Sequence, residues 1–386
     1  MEPNITTLSF SNTSLATISP SVELFKQGEI LLPIIRGTFG GIGIIGNLLV
    51  CIVVARLWSS NKRNTTNTLI ANQALIDLCA SILLVGLTIT ELAEVSPPES
   101  YFFGQIFCKF WSSRFCLFAA FAASTFNLTE ISMERYLAVI HPIYYSMKFA
   151  NTTIAKILPV IPWLLGPLMQ FVVAMLRYDF IPETTPKSCT YESKRYTDAM
   201  EKIFGIMVFL WDYFIPVSVM TFAFVKIVIK FKQQNLKVAL RQPLRPPQGS
   251  TVPTISTMKA HHNSVTEVDP QIMNAENSLV AAADINEPSS SNQPARTQGQ
   301  KSSSNIQRKN VTKTLFIVYV VYVICWSPDQ WAFLQYNLGG ELDFGSTFTN
   351  FAILVAQLNS CVNPFIYGLQ YRQYRQGLIK LFKCQR

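Results

Sequence analysis

The 386-residue sequence is short of charge and of histidine: only 14% of its residues are charged and it holds three histidines. His141 and the adjacent pair His261-His262 cannot assemble a histidine-based metal centre. No nucleophile stands in a pattern with a base or a metal, so an enzyme is not expected. No internal repeat is visible, which argues against a secondary transporter with Asp77 as its coupling site, since such folds are usually built from paired halves. Between Phe231 and Phe316 there is no aromatic residue, and the stretch is rich in Ser, Gln, Asn and Pro. Such a segment cannot bury enough apolar area to offset its ordering entropy. The opening MEPNITTLSFSNTS lacks an apolar run behind a basic start, so no cleavable signal is expected and the first apolar run should begin insertion itself.

Long apolar runs are what the chain has in quantity. Hydrophobic residues make up 49% of it and the mean hydropathy is +0.25, values that suit an integral membrane protein. Runs of the roughly 20 apolar residues needed to cross a bilayer fall at 30–57, 66–92, 105–137, 152–176, 200–230, 311–336 and 344–369. The expected fold is an all-α bundle of seven transmembrane helices, divided as a tail over 1–29, five spans over 30–230, a long disordered cytoplasmic loop over 231–308, two spans over 309–369, and a terminal segment over 370–386. In that last segment Leu378, Ile379, Leu381 and Phe382 alternate with bases, the pattern of a short helix lying in the membrane interface. Cys384 beside it is a candidate for acylation, with an unmodified thiol as the alternative.

Charge gives the orientation. The first connection carries Arg56, Lys62 and Arg63, whereas the second carries Glu91, Glu94 and Glu99 before any base, so the positive-inside rule places the first connection in the cytoplasm and the N-terminus outside. Asn4 and Asn12 open glycosylation triplets that fit that placement. Most of the net +9 then faces the cytoplasm, which reads as attraction to anionic membrane lipid and not as nucleic-acid binding. Of eight cysteines only Cys108 and Cys189 fall at outer ends or loops, where an oxidising medium lets them bridge.

Several polar residues lie where they are costly. Asp77 is the sole charge within ANQALIDLCASILL of the second run, and Arg135 ends the third, where an unpaired guanidinium costs at least a few kcal/mol. Leu117, Ser124 and Arg135 are spaced to share one helix face. If Asp77, Ser124, Asn359, Ser360 and Asn363 converge, they supply the oxygens that an allosteric sodium ion would need; a hydrated hydrogen-bond network without an ion is the alternative. Proline stands inside the runs at Pro162, Pro167, Pro216, Pro328 and Pro364, each freeing a carbonyl that a neighbour must satisfy.

Taken in order, Gly46-Asn47, Asn72-x-Ala74-Leu75-x-Asp77, Glu134-Arg135-Tyr136, Trp163, Pro216, Cys325-Trp326-x-Pro328 and Asn363-Pro364-x-x-Tyr367 place one motif in each run. With these the chain resembles the rhodopsin-like G-protein-coupled receptors across all seven runs. The resemblance implies that Arg135 pairs with Glu134 at rest and swings toward a heterotrimeric G protein when the sixth helix moves out. It implies that Trp326 is a rotamer switch under the ligand pocket, that Asn363 and Tyr367 reorganise near Asp77, and that Ile143 is the apolar knob docking on the G protein. Receptor kinase and arrestin would act on the long loop and tail. The chain departs from the pattern at Phe224, where a tyrosine is usual, and at Tyr322, where a phenylalanine is usual. Near Arg308, some members place a glutamate, so Glu134 is the only visible restraint on Arg135. Cys108 precedes Arg135 by 27 residues, slightly more than the norm, which suggests a bulge at the start of the third helix.

Leu117 stands where amine receptors of this family carry an aspartate, which disfavours a monoamine. No lysine occurs between Lys313 and Lys380, which excludes a retinal Schiff base. Arg114, Trp211, Asp212, Asp329, Gln330, Phe333 and Gln357 remain as a mixed wall suited to a peptide, unless Arg114 pairs internally with Asp212 or Asp329. The expected function is a neuropeptide-type receptor, broadly similar to galanin, somatostatin and allatostatin receptors. A small-molecule or ligand-independent receptor of the same fold is the alternative.

Overall fold

The computed structural model describes residues 20–59, 65–149, 153–191, 197–240, 296–341, 343 and 346–383. Asn4, Asn12 and Cys384, with most of the long loop, lie outside the described residues. Met1–Gln233 together with Ile306–Arg386 forms one compact unit. A second, Gln234–Asn305, is described only at its ends, where helices run on to Leu240 and start at Arg296.

Among the described residues seven helical spans are long and apolar enough to cross a membrane: Ile30–Arg56, Thr65–Leu92, Tyr101–Ile140, Leu158–Arg177, Asp198–Leu236, Asn310–Asn337 and Thr347–Gln370. Short polar caps start two of them. Thr197 accepts from the Met200 amide at 3.4 Å and Ser346 from the Thr349 amide at 3.2 Å, supplying acceptors to otherwise orphaned N–H groups. After the seventh span, Arg372–Lys383 forms the expected short helix, with Tyr374 buried and Gly377 close against Val53 of the first span.

The third span begins irregularly, as the long spacing between Cys108 and Arg135 suggests. A π-helical turn over Phe107–Ser112 is followed by Arg114 at φ +57°, after which the regular helix runs from Phe115 to Ile140. The wide turn absorbs the extra length, and the left-handed residue costs on the order of 1 kcal/mol. Cys108 in this turn is disulfide-bonded to Cys189. That bond fixes the strand pair β1 (Tyr178–Ile181) and β2 (Ser188–Tyr191), which are antiparallel with Phe180 opposite Cys189, over one end of the bundle.

Two motifs of different spans explain each other. Pro364 has no N–H, so the Ser360 carbonyl one turn earlier loses its helical donor. Asn47 Nδ2 donates to that carbonyl at 2.8 Å. Gly46 makes the approach feasible, because a Cβ there would lie 2.9 Å from the Pro364 ring. Gly166 of the fourth span plays the same part against Ala119 and Ala123 of the third, where a Cβ would meet backbone at 2.6–2.7 Å. In a bilayer such close small-residue packing, with interhelical hydrogen bonds each worth about 0.6 kcal/mol, replaces the missing hydrophobic drive.

Candidate functional site

Three sites are stacked along the bundle. At the disulfide end a cavity of about 480 Å³ opens among the third to seventh spans and under the strand pair. Leu117, Phe121 and Trp326 line its depth, and Tyr178 and Tyr191 its mouth. Arg114, Asp212, Asp329, Gln330, Phe333 and Gln357 line it as well. A second, more polar space of about 320 Å³ shares Arg177, Tyr191, Tyr336 and Asn337 with the first and extends to Asp198, Lys202 and Gly339. Trp211, read from the sequence as part of this wall, does not line it. Its ring packs 5.4 Å from Phe126 of the third span. The physical reason is a π-helical turn over Leu210–Phe214, which shifts the phase of the fifth span so that Asp212 faces inward and Trp211 turns aside.

Charge in this cavity is unevenly satisfied. Arg114 pairs with Glu91 at 3.3 Å, as does Arg36, so Arg114 engages neither aspartate. Arg177 pairs with Glu201 at 3.4 Å and lies over the Tyr191 and Phe204 rings. Asp212 accepts from Gln170 Nε2 at 2.6 Å, while its Oδ1 is buried without a hydrogen-bond partner among the described residues. Among the described residues Asp329 accepts only a long 3.3 Å bond, from its neighbour Gln330. Neither aspartate has a cationic partner among the described residues.

Below the cavity Trp326 makes an edge contact with Phe121 at 5.3 Å and lies 6.4 Å from Tyr322. The Tyr322 hydroxyl, absent from the usual phenylalanine, is buried and shares a 3.0 Å hydrogen bond with Thr125 Oγ1, tying the sixth span to the third. Ser327, next to Pro328, bonds the Val323 carbonyl and the Tyr213 hydroxyl, each at 2.5 Å. Phe224 stacks on Tyr319 at 5.2 Å.

The middle site is a buried polar network around Asp77. Ser124 donates to Asp77 Oδ1 at 2.9 Å and Asn363 to Oδ2 at 2.9 Å. Of the other expected sodium ligands, Ser360 turns its hydroxyl to the Gln357 carbonyl at 2.9 Å, and the Oδ1 of buried Asn359 accepts no hydrogen bond among the described residues. Gln73, which sequence reading passed over between Asn72 and Ala74, stands in the centre of the network and donates to both Asp77 oxygens at 3.1 Å.

At the opposite end Arg135 and Glu134 are both buried and form a two-point ion pair. This pair is restrained more firmly than the sequence suggests. Arg135 also donates to Thr66 of the second span, Thr66 donates to Glu134 at 3.1 Å, and the Tyr145 hydroxyl donates to Glu134 at 2.5 Å. Tyr145 belongs to a short helix, Pro142–Phe149, outside the spans. Burial, and after it the Glu134 carboxylate, pushes its phenol up to about 12, so it stays a donor at any physiological pH. Ile143 of the same helix is 76% exposed. Tyr136 contacts His141 and Phe222. Tyr367 is buried beside Tyr374, its hydroxyl without a hydrogen-bond partner among the described residues, and Tyr371 donates to Asn67 at 2.6 Å.

The family model of the seven-transmembrane receptors of the rhodopsin family matches residues 46–367. The chain belongs to the rhodopsin family of seven-transmembrane receptors. Among similar proteins, galanin receptor 2b of Danio rerio is 26% identical over 95% of this chain and 78% of its own length. The histamine H2 receptor of Homo sapiens is 24% identical over 100% of this chain and 85% of its own. The cholecystokinin receptor type A of Cavia porcellus is 23% identical, covering 98% and 86%. In fold, this receptor is similar to the crystal structure of squid rhodopsin, with a TM-score of 0.64 and 17% identity over 93% of this chain and 86% of that one. It is a multi-pass membrane receptor and not an enzyme.

Proposed function

We propose that this receptor sits in the plasma membrane with the disulfide end outside, binds a neuropeptide bearing a basic group, and activates a heterotrimeric G protein through Arg135. The observation that carries the ligand reading is the pair Asp212 and Asp329, two carboxylates in the cavity with no described counter-ion while Arg114 and Arg177 are both engaged elsewhere. An ammonium or guanidinium entering this desolvated wall gains charge-assisted hydrogen bonds and relieves the cost of the unpaired acids. The adjoining polar space gives the rest of a peptide chain somewhere to lie. Galanin and cholecystokinin receptors among the relatives support the peptide reading.

On the inner side, opening of the sixth span frees Arg135 from Glu134 and Thr66 to meet the G protein, with exposed Ile143 docking beside it. Trp326, in contact with both the cavity and Tyr322, transmits ligand binding inward. Receptor kinase and arrestin act on the inner loop and tail.

A small cationic molecule is the second reading, favoured by the same two carboxylates and by the histamine H2 relatives. The test is a screen of peptide and amine libraries on cells carrying the receptor and a promiscuous G-protein reporter. Peptides with a basic group should dominate the hits; hits confined to amines would replace the first reading by the second.

A further inference from the structure

The polar network at mid-bundle has a fixed direction, which can be traced from one atom. Trp163 Nε1–H can only donate, and it donates to Asn72 Oδ1 at 3.0 Å. Asn72 must therefore present its Nδ2 to Asn127 Oδ1, at 2.8 Å. Asn127 in turn presents Nδ2 to Gln73 Oε1 at 2.8 Å, and to the Leu69 carbonyl at 3.1 Å. With its oxygen so engaged, Gln73 has only its NH₂ group left to face Asp77. The orientation of three side-chain amides, often ambiguous by itself, is set here by one indole.

At the end of this relay the carboxylate is full. Asp77 Oδ1 accepts from Ser124 and Gln73, and Oδ2 from Asn363 and Gln73, which uses the four lone-pair sites a carboxylate offers. Gln73 Nε2 also lies 2.5 Å from Ser124 Oγ, so it occupies the space between the two groups that would have to share a cation. A sodium ion placed there would face the positive ends of two N–H bonds. The residues present do not fit the ion that the oxygen count alone invites.

We infer that Gln73 is the built-in occupant of this site: its amide takes the place of an ion against Asp77 and Ser124, and makes the receptor insensitive to sodium. The inference is independent of which ligand the outer cavity binds. It also makes Gln73 a positioning residue, since any rearrangement of Asn363 on activation must exchange bonds with a tethered amide and not with a diffusible ion.

The test compares thermal unfolding of the purified full-length receptor in sodium chloride and in potassium chloride at equal ionic strength, with sodium NMR line widths as a second readout. The wild type should melt at the same temperature in both salts and should not broaden the sodium resonance beyond a potassium-competed control. Gln73→Leu, which removes the amide but keeps a similar volume, should gain a sodium-specific rise of about 3 °C. Adding Asp77→Asn to that variant should remove the gain. Gln73→Ala serves where the leucine variant does not reach the membrane, and the wild-type titration decides the first half of the inference without any variant. Saturable sodium-specific stabilisation of the wild type would overturn it, as would a folded Gln73→Leu or Gln73→Ala receptor with no sodium response.

Discussion

At the inner end of the bundle Arg135 and Glu134 meet each other, Thr66 and Tyr145, and around Asp77 four hydrogen bonds from Ser124, Asn363 and Gln73 fill one carboxylate; in the outer cavity Asp212 and Asp329 face no described cation at all. The difference follows from what each region must exchange. An inner charge released only on activation has to be held at rest, because a free guanidinium in that position is costly. An outer carboxylate left without its counter-charge is costly too, and under the proposed function a ligand cation would recover that cost. One region is latched from within, and the other, on the proposed function, is completed from without.

The largest effect should come from removing the latched cation itself. Arg135→Ala is expected to abolish receptor-stimulated nucleotide exchange while surface expression stays near wild type; full signalling with normal expression would break the comparison at its inner end. Next comes the outer acid. Asp212→Asn should weaken a basic peptide hit by on the order of 10–100-fold, the scale of a partly desolvated charge pair, while leaving basal exchange unchanged. Neutral hits should lose little.

Loosening the latch without removing its charge should have a smaller effect in the opposite direction. Tyr145→Phe removes one charge-assisted bond to Glu134, and basal exchange should rise about two- to fivefold. The pH dependence sharpens this prediction. Because the Tyr145 phenol is raised to about 12, its contribution is fully present below the unfolded value of about 10 and is lost only as pH rises toward 12. The ratio of basal exchange in Tyr145→Phe to wild type should therefore stay flat from about pH 6 to 8.5, and a drift across that range would point to another donor. The smallest effect expected is that of Tyr322→Phe, which loses one neutral hydrogen bond to Thr125 and should cost about 1 kcal/mol of stability in thermal unfolding with signalling intact.

How much of this could be read from the chain varies with what each feature depends on. Span positions, the Cys108–Cys189 bridge and the irregular start of the third helix depend on composition and spacing along one segment, and each was legible. Asp77, Ser124 and Asn363 come together as their polarity within apolar runs suggests. Gln73 was not legible, although it is the only glutamine in the second span, because its meaning lies in a relay through Asn127, Asn72 and Trp163 of three different helices. Thr66 and Tyr145 were missed for the same reason, since they reach Glu134 from the second span and from a short loop helix. Trp211 was named beside Asp212 with nothing in the sequence to choose between these adjacent residues, and the π-helical turn that carries them brings only Asp212 to the cavity. Arg114, at a left-handed residue that its sequence does not announce, pairs with Glu91 of the second span and not with an aspartate.

The most direct measurement is a double-mutant cycle between ligand and cavity. A basic peptide hit and its charge-neutral citrulline or norleucine analogue would each be titrated on the wild type and on Asp212→Asn and Asp329→Asn, with G-protein activation as the readout. The account predicts strong non-additivity with at least one of the two aspartates: neutralising the peptide costs at least tenfold on the wild type and little on that variant. Equal, additive losses on all three receptors would show that the peptide's charge meets neither carboxylate, and would contradict the claim that the outer cavity is completed by a ligand cation.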